Sequence, residues 1–452
     1  MTQKQRVNPE PEEFELPEPL IFSRSEHPIS RKNIDREALK VMHRLRDAGF
    51  SAYLVGGGVR DLFLGKTPKD FDISTDARPG QIQSIFKNSR VIGRRFRLVQ
   101  VFFRGGKIVE VSTLRCRGEY DLNGQDEVLA SNNTFGTLPE DALRRDLTIN
   151  ALFYDIENFT IIDYVGGVQD LKDGIVRLIG NAERRIIRDP VRMIRAIRHA
   201  ARADFTIDDE TWQAIKKYKN NLALCPVSRI RDELLKDLKG GAARSWMRFA
   251  HDCGIFTVLF PCYEKVLENR GDCGKAGGPS ADKDDPYKEL QGLLAVIDRL
   301  SGEGQILPEH LLFALLLIPW ARKEMGLLGK DRQKGEVYTF SRNLRARLDE
   351  ILAHLNIARL TKENITSLLV NLAVFERHGR GKWPKWLMQK SYFQECLEFY
   401  RLYQEACGGE KVETVKIVPL PPAIKKRPSG KPSRAPVFSS ARGGIFGLKK
   451  KQ

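Results

Sequence analysis

Near Gly180 the hydrophobic period of the chain changes, and that change constrains its fold more than any other feature. From Ser51 to Tyr164 the apolar residues come in short runs cut by glycine. Ala52-Tyr53-Leu54-Val55 runs into Gly56-Gly57-Gly58, Phe71–Thr75 follows, and Arg97–Phe103 and Lys107–Leu114 flank Gly105-Gly106. These spell strands, the last two a hairpin, with short helices over Val59–Leu64 and Gln81–Phe86. Beyond Gly180 apolar positions recur at helical spacing through Val191–Ala203, Asp209–Tyr218, Ile230–Leu238 and Ala243–Cys253. After a polar, Gly-rich stretch at 269–288 they resume from Glu289 to Cys407. Upstream, Ile34, Ala38, Val41, Met42 and Leu45 predict one more helix, stopped by Gly49. The expected fold class is α+β, a mixed-sheet head with helices followed by an all-α neck and body.

A chain of 452 residues calls for several domains. The boundaries expected are 1–30, Pro- and Glu-rich and disordered; 31–170, the head; 171–240, a helical neck; 241–410, a helical body; and 411–452, a disordered basic tail. The formal net charge is +17. Ten basic residues and no acidic one lie between Thr414 and Gln452, so that tail holds more than half of the excess. Such a balance favours a polyanionic partner. A membrane span is not expected, because the longest apolar stretch, Leu311–Ala321, has eleven residues. Seven scattered cysteines without a CxxC pair argue against disulfides and zinc ribbons, and the expected setting is soluble, reduced and cytoplasmic.

Four constellations carry chemistry. In Leu54-Val55-Gly56-Gly57-Gly58-Val59-Arg60-Asp61 a strand enters a glycine turn that opens a helix. Backbone can approach an anion there, and Arg60 adds a fork suited to phosphate. A tight connection with a solvated Arg explains the same residues. Asp70-Phe71-Asp72 starts the next strand, with the carboxylates on one face and Cα atoms roughly 6–7 Å apart. That spacing suits a shared pair of Mg²⁺ ions about 3.5–4 Å apart, and equally a solvated edge. Glu110, an acid among β-branched residues, completes a three-carboxylate site if its hairpin lies beside the aspartates. Otherwise it marks an exposed face. Further on, Arg144-Arg145-Asp146 is followed by Asp189-Pro190-Val191-Arg192-Met193-Ile194-Arg195-Ala196-Ile197-Arg198. The arginines step by three along a helix, and Asp189 reads either as an N-cap or as one half of a pair that meets a nucleobase edge.

Together these motifs resemble the class II branch of the polymerase-β nucleotidyltransferase superfamily, the bacterial poly(A) polymerases and tRNA CCA-adding enzymes, over roughly Ser30 to Gly241. The resemblance implies a polymerase-β-like head in which Asp70, Asp72 and Glu110 hold two Mg²⁺, with Mn²⁺ as a substitute, and in which Asp146 is a further catalytic acid. It implies that Gly57 and Arg60 meet the triphosphate of ATP, that Gly56 and Arg145 also bind ATP, that Asp189 and Arg192 read the base, and that Arg195 and Arg198 approach nucleotide or primer. Arg229, Glu233 and Lys236 match a supporting neck helix. Where the family usually has Glu before the base-reading Asp, this chain has Arg188. Gly93-Arg94-Arg95-Phe96-Arg97-Leu98 is similar to a segment of the poly(A) polymerases, as is the basic tail, whose Lys425, Lys426, Arg427, Lys449, Lys450 and Lys451 would bind RNA. The implied activity is template-independent addition of AMP to RNA 3′ ends in polyadenylation and turnover. Its partners would be RNA 3′ ends, ATP, and RNA-processing or degradation proteins. A CCA-adding enzyme and a catalytically silent RNA-binding protein are the alternatives.

Overall fold

The computed structural model describes residues 16–93, 97–116, 135–267, 285–328, 332–379 and 383–415. Eight strands form one sheet: β1 (Leu20–Phe22), β2 (Tyr53–Val55), β3 (Asp72–Thr75), β4 (Ser89–Ile92), β5 (Leu98–Phe102), β6 (Ile108–Thr113), β7 (Phe153–Asp155) and β8 (Thr160–Asp163). Their order is β1-β8-β7-β2-β3-β6-β5-β4, antiparallel throughout except for the parallel pair β3–β6. Because side chains alternate along a strand, the register divides the sheet into two unlike faces. Leu54, Ile73, Val111, Val99 and Tyr154 are aligned across it and buried. Helices α1 (Arg36–Asp47) and α3 (Pro79–Ile85) pack on that face. The predicted α1 stripe, Ala38, Val41, Met42 and Leu45, is its buried side, and the Asp35 carboxylate caps the helix by accepting from the Glu37 and Ala38 amides. The opposite face carries Val55, Asp72, Glu110 and Gln100 in one row. Helix α2 (Gly57–Phe63) follows β2, and α4 (Leu138–Arg144) follows 135–137.

From α5 (Gly167–Asp173) onward the regular elements among the described residues are helices, apart from a two-strand parallel ribbon, β9 (Ile175–Val176) with β10 (Thr206–Ile207). The neck holds α6 (Ala182–Arg188), α7 (Val191–Ala203), α8 (Asp209–Tyr218) and α9 (Val227–Leu238). The body adds α10 (Ala243–Asp252), α11 (Ile255–Leu259), α12 (Glu264–Leu267), α13 (Pro286–Gly302), α14 (Glu309–Met325), α15 (Lys334–Ile351), α16 (Arg359–His378), α17 (Lys385–Met388) and α18 (Phe393–Ala406). The apolar run Leu311–Ala321 is the centre of α14, buried along its whole length and packed against α13, α16 and α18. No described helix is long and apolar enough to cross a membrane.

The α+β class and the hairpin are as expected, while three expected boundaries move. Within the segment 1–30, β1 pairs with β8 at the sheet edge and Ile29 is buried. Leu20 and Ile21 stay exposed, so this strand is held by backbone pairing and leaves no periodic signal. The boundary at residue 170 cuts through α5, because one core runs from the sheet into the neck. At the other end the expected tail begins too early. Val412 and Val415 are buried, Arg299 donates to the Val412 carbonyl at 3.1 Å, and Gln305 bonds both Glu413 and Val415.

Candidate active site

The β2–α2 turn is made at Gly56, whose φ of +67° suits a residue without a Cβ. A Cβ there would stand 3.7 Å from Arg145 Nη1 and 3.8 Å from Asp72 Oδ2, so the turn lies against both charged groups. Asp72 is opposite Glu110 across the parallel β3–β6 pair, and one repeat further the hydroxyls of Ser74 and Ser112 meet at 3.1 Å. Two acids therefore share one face at adjacent positions. Glu110 Oε1 accepts from Gln100 Nε2 at 2.9 Å. Asp72 is open to the cleft yet hemmed in by protein. Burial, and next the Glu110 charge, push its carboxyl up to about 6, with Arg145 opposing and Asp70 adding to the rise.

Asp70 is not in the strand, which begins at Asp72. It borders the same cleft of about 410 Å³ as Gly57, Arg60 and Asp72. Among the described residues no three acidic, His or Cys side chains close on one another tightly enough to cage an ion unaided. The expected triad is thus two facing carboxylates, Asp72 and Glu110, with Asp70 alongside them in the loop.

Two arginines frame this face. Arg145 donates through Nε and Nη2 to Asp141 Oδ2 at 3.1 and 2.8 Å, through Nη2 to Ser74 Oγ at 3.2 Å, and through Nη1 to the Asn150 carbonyl at 3.3 Å. Its guanidinium also lies 5.1 Å from the centre of the Phe153 ring. Arg60 donates to Asp61 Oδ1 through Nε and Nη2, and to Asn150 Oδ1 through Nη1 at 2.6 Å. Asn150 joins both arginines, yet nothing in the sequence singled it out. Its only mark is a polar residue within the otherwise apolar run Ile149–Phe153. Asp141, which fixes Arg145, sits one turn ahead of it on α4 and was equally unmarked.

A second cluster lies where α4 meets α6 and α7. Asp146 takes Arg195 Nε at 2.5 Å. Burial would raise its carboxyl, but Arg195, His199 and Arg192 outweigh that and hold it well below the usual carboxylate range. The Arg145 carbonyl accepts from Arg185 and, at 3.4 Å, from Arg192 Nη1, which ties this cluster to the first. Burial lowers the Arg192 guanidinium, and among the described residues its Nε has no hydrogen-bond partner, only Asp189 Oδ2 at 3.9 Å.

Asp189 is not the N-cap that its position suggested. α7 begins after Pro190 without a side-chain cap, and the Asp189 carboxylate is gripped at both oxygens by Arg229 of α9, at 2.8 and 2.9 Å. Arg198 is a further correction. It is buried at 4 % exposure between Glu233 and Asp237, so its fork is spent on joining α7 to α9 and none of it is presented to RNA. The expected RNA-binding residues Lys425, Lys426, Arg427, Lys449, Lys450 and Lys451 lie outside the described residues, as do Arg94, Arg95 and Phe96.

Comparison with known proteins bears on this arrangement. Residues 52–177 match the family profile described as the poly A polymerase head domain, and 204–267 match the probable RNA and SrmB-binding site of polymerase A. Poly(A) polymerase I of Escherichia coli O157:H7 is 37 % identical over 401 residues, 86 % of this chain and 82 % of that protein. The Haemophilus influenzae enzyme of the same name is 33 % identical over 413 residues, 88 % and 86 % of the two chains. A CCA-adding enzyme of Ligilactobacillus salivarius is 40 % identical over 240 residues, 52 % of this chain and 58 % of its own. Among solved structures, the Bacillus stearothermophilus CCA-adding enzyme in complex with CTP superposes with a TM-score of 0.60 at 26 % identity, covering 83 % of this chain and 79 % of that one. With likeness to poly(A) polymerase I running through head, neck and body alike, the chain belongs to the tRNA nucleotidyltransferase/poly(A) polymerase family and is a nucleotidyltransferase.

Proposed function

We propose that this nucleotidyltransferase is a poly(A) polymerase that adds AMP from ATP to RNA 3′ ends without a template, in cytoplasmic RNA polyadenylation and turnover. The carrying observation is the Asp72–Glu110 pair beside the Gly56 turn, with Arg145 and Arg60 around it. Two carboxylates held side by side repel, and an oxygen-only donor set suits a hard divalent cation. Asp70, Asp72 and Glu110 would hold two Mg²⁺, or Mn²⁺ in their place. Bound there, the metals would supply activation of the 3′-hydroxyl and neutralisation of the phosphates. Arg60 and Arg145 bind the triphosphate over Gly56 and Gly57. Asp189, oriented by Arg229, and Arg192, whose Nε lies 3.9 Å from Asp189 Oδ2, read the base. Asp146 keeps Arg195 in place beside them. The 3′-hydroxyl oxygen bonds to the α-phosphorus as the bond to pyrophosphate breaks. The helical body and the basic tail hold RNA by its backbone, in line with the profile match over 204–267.

Coverage favours polyadenylation over CCA addition. The likeness to poly(A) polymerase I spans more than four-fifths of the chain, whereas the likeness to the L. salivarius CCA-adding enzyme spans about half. The CCA reading keeps one observation of its own, the fold shared with the B. stearothermophilus enzyme. ATP and CTP, supplied separately to an oligo(A) primer and to a tRNA lacking its 3′ end, separate the two. Long tails from ATP alone are expected on the primer. Ordered C-C-A on the tRNA without such tails would replace this reading by the second.

A further inference from the structure

One enclosed ring in the cleft is used by neither the phosphate-binding nor the base-reading assignment. His199 lies on α7 one turn beyond Arg195 and borders the cleft with Arg60, Asp70 and Asp72. Its Nδ1 is 3.2 Å from Arg60 Nη1, and its Nε2 is 3.3 Å from Asn150 Nδ2. The same Arg60 nitrogen donates to Asn150 Oδ1 at 2.6 Å. A guanidinium can only donate, so the Arg60 contact has Nδ1 accepting on a neutral ring whose proton is on Nε2; Nε2 and Asn150 Nδ2 are then two donors in contact, and Asn150 holds Arg60 through Oδ1 rather than holding the ring. The surroundings agree. Burial, and then the Arg60 charge, lower the ring well below its ordinary value, Arg195 and Arg198 act the same way, and Asp146 alone opposes them.

The consequence falls on Arg60. Asp61 holds its Nε and Nη2, while Asn150 and His199 hold its Nη1, so every nitrogen of the fork has a partner. Nη2 lies 3.3 Å from where a Cβ on Gly57 would be, which sets the fork directly over the glycine turn. Asn150, through its carbonyl, also receives Arg145. A guanidinium fixed in this way binds a phosphate without first losing side-chain freedom.

We infer that His199 is a positioning residue: with Asn150 it holds the Arg60 fork over the glycine turn, so that triphosphate affinity depends on the helix that carries Arg192 and Arg195. The inference rests on the reading of Arg60 as a triphosphate ligand. His199→Phe keeps a ring and removes the acceptor, whereas His199→Gln keeps an acceptor oxygen. Steady-state extension with ATP, inhibition by inorganic tripolyphosphate and the ATP:CTP preference are measured for both. His199→Phe is expected to raise the KM for ATP about tenfold, in line with the loss of a charge-assisted hydrogen bond, with kcat changed less than about twofold. Tripolyphosphate inhibition should weaken by the same factor, the ATP:CTP preference should stay as it was, and His199→Gln should recover most of the loss. An altered ATP:CTP preference with unchanged tripolyphosphate inhibition would overturn the inference, because it would assign the ring to base reading. So would a folded His199→Phe enzyme with the wild-type KM. Arg60→Gln separates the two layers. If it leaves tripolyphosphate inhibition intact, the phosphate role of Arg60 fails; if it weakens inhibition while His199→Phe does not, only the role of His199 fails.

Discussion

Arg195 and Arg198 stand one turn apart on the same helix, and their surroundings give them opposite tasks. The Arg195 side chain is one-third exposed and donates through Nε to Asp146. Arg198 is enclosed by Glu233 and Asp237, two acids from another helix. Removing a cation from such a pocket leaves buried carboxylates unpaired, at a cost of about 3–5 kcal/mol. Arg198→Met should therefore lower the unfolding midpoint steeply while leaving the RNA affinity of the folded protein unchanged. A stable variant with weakened RNA binding would restore Arg198 as an RNA-binding residue. Spacing by three identified the arginine stripe correctly but could not say which arginine faced what. The acids that claim Arg198 come 35 and 39 residues later, on a helix whose placement is a tertiary fact. The same holds for Asp189: local chemistry offered an N-cap, and a guanidinium 40 residues away overrode it. Asp72 and Glu110 were legible as acids in strands, whereas their alignment depended on a parallel pairing that neither segment encodes by itself.

Among the elements, α7 acts as the beam between head and body, and its joint with α9 is electrostatic as well as apolar. Burial pushes the Asp237 carboxyl up to about 7 against the pull of Arg198, and Glu233 adds to the rise. Among the described residues its Oδ2 has no hydrogen-bond partner, which is where a proton would reside. An unfolded aspartate titrates near pH 4, about three units lower. Because the folded-state value is the higher, the folded chain holds the extra proton between those limits. The resulting stability is fully present below about pH 4 and is lost as the pH rises through about 7. Asp237→Asn should accordingly flatten the decline of the unfolding midpoint between pH 5 and pH 8. An equal decline in variant and wild type would mean that Arg198 keeps Asp237 ionised throughout. Elements with strong internal period, such as α1 and α7, could be read directly from the chain. β1 and the β9–β10 ribbon could not, because strands of two or three residues are stabilised by the neighbours that pair with them.

For the molecule as a whole, the decisive question is where its positive charge meets RNA. The helices from Glu289 to Cys407 carry no sequence motif from which an RNA path could be read, but they fix the point from which the basic tail departs. Arg299 and Gln305 at the C-terminal end of α13 hold the backbone at Val412, Glu413 and Val415, and both valines are buried. The ten basic residues that follow Thr414 all lie beyond that strap, from Lys416 to Lys451. A truncation meant to isolate the tail should therefore remove 416–452 and keep Val415, since cutting at Thr414 would also strip a packed side chain. The shortened protein should unfold at the wild-type midpoint and still extend primers. The plot of its log affinity against log salt should become shallower by up to about 0.7 for each phosphate of single-stranded RNA that the tail had neutralised. A slope identical to that of the full chain would refute the tail as an RNA clamp and return the binding to the head, neck and body, where the remaining net charge of this basic protein resides.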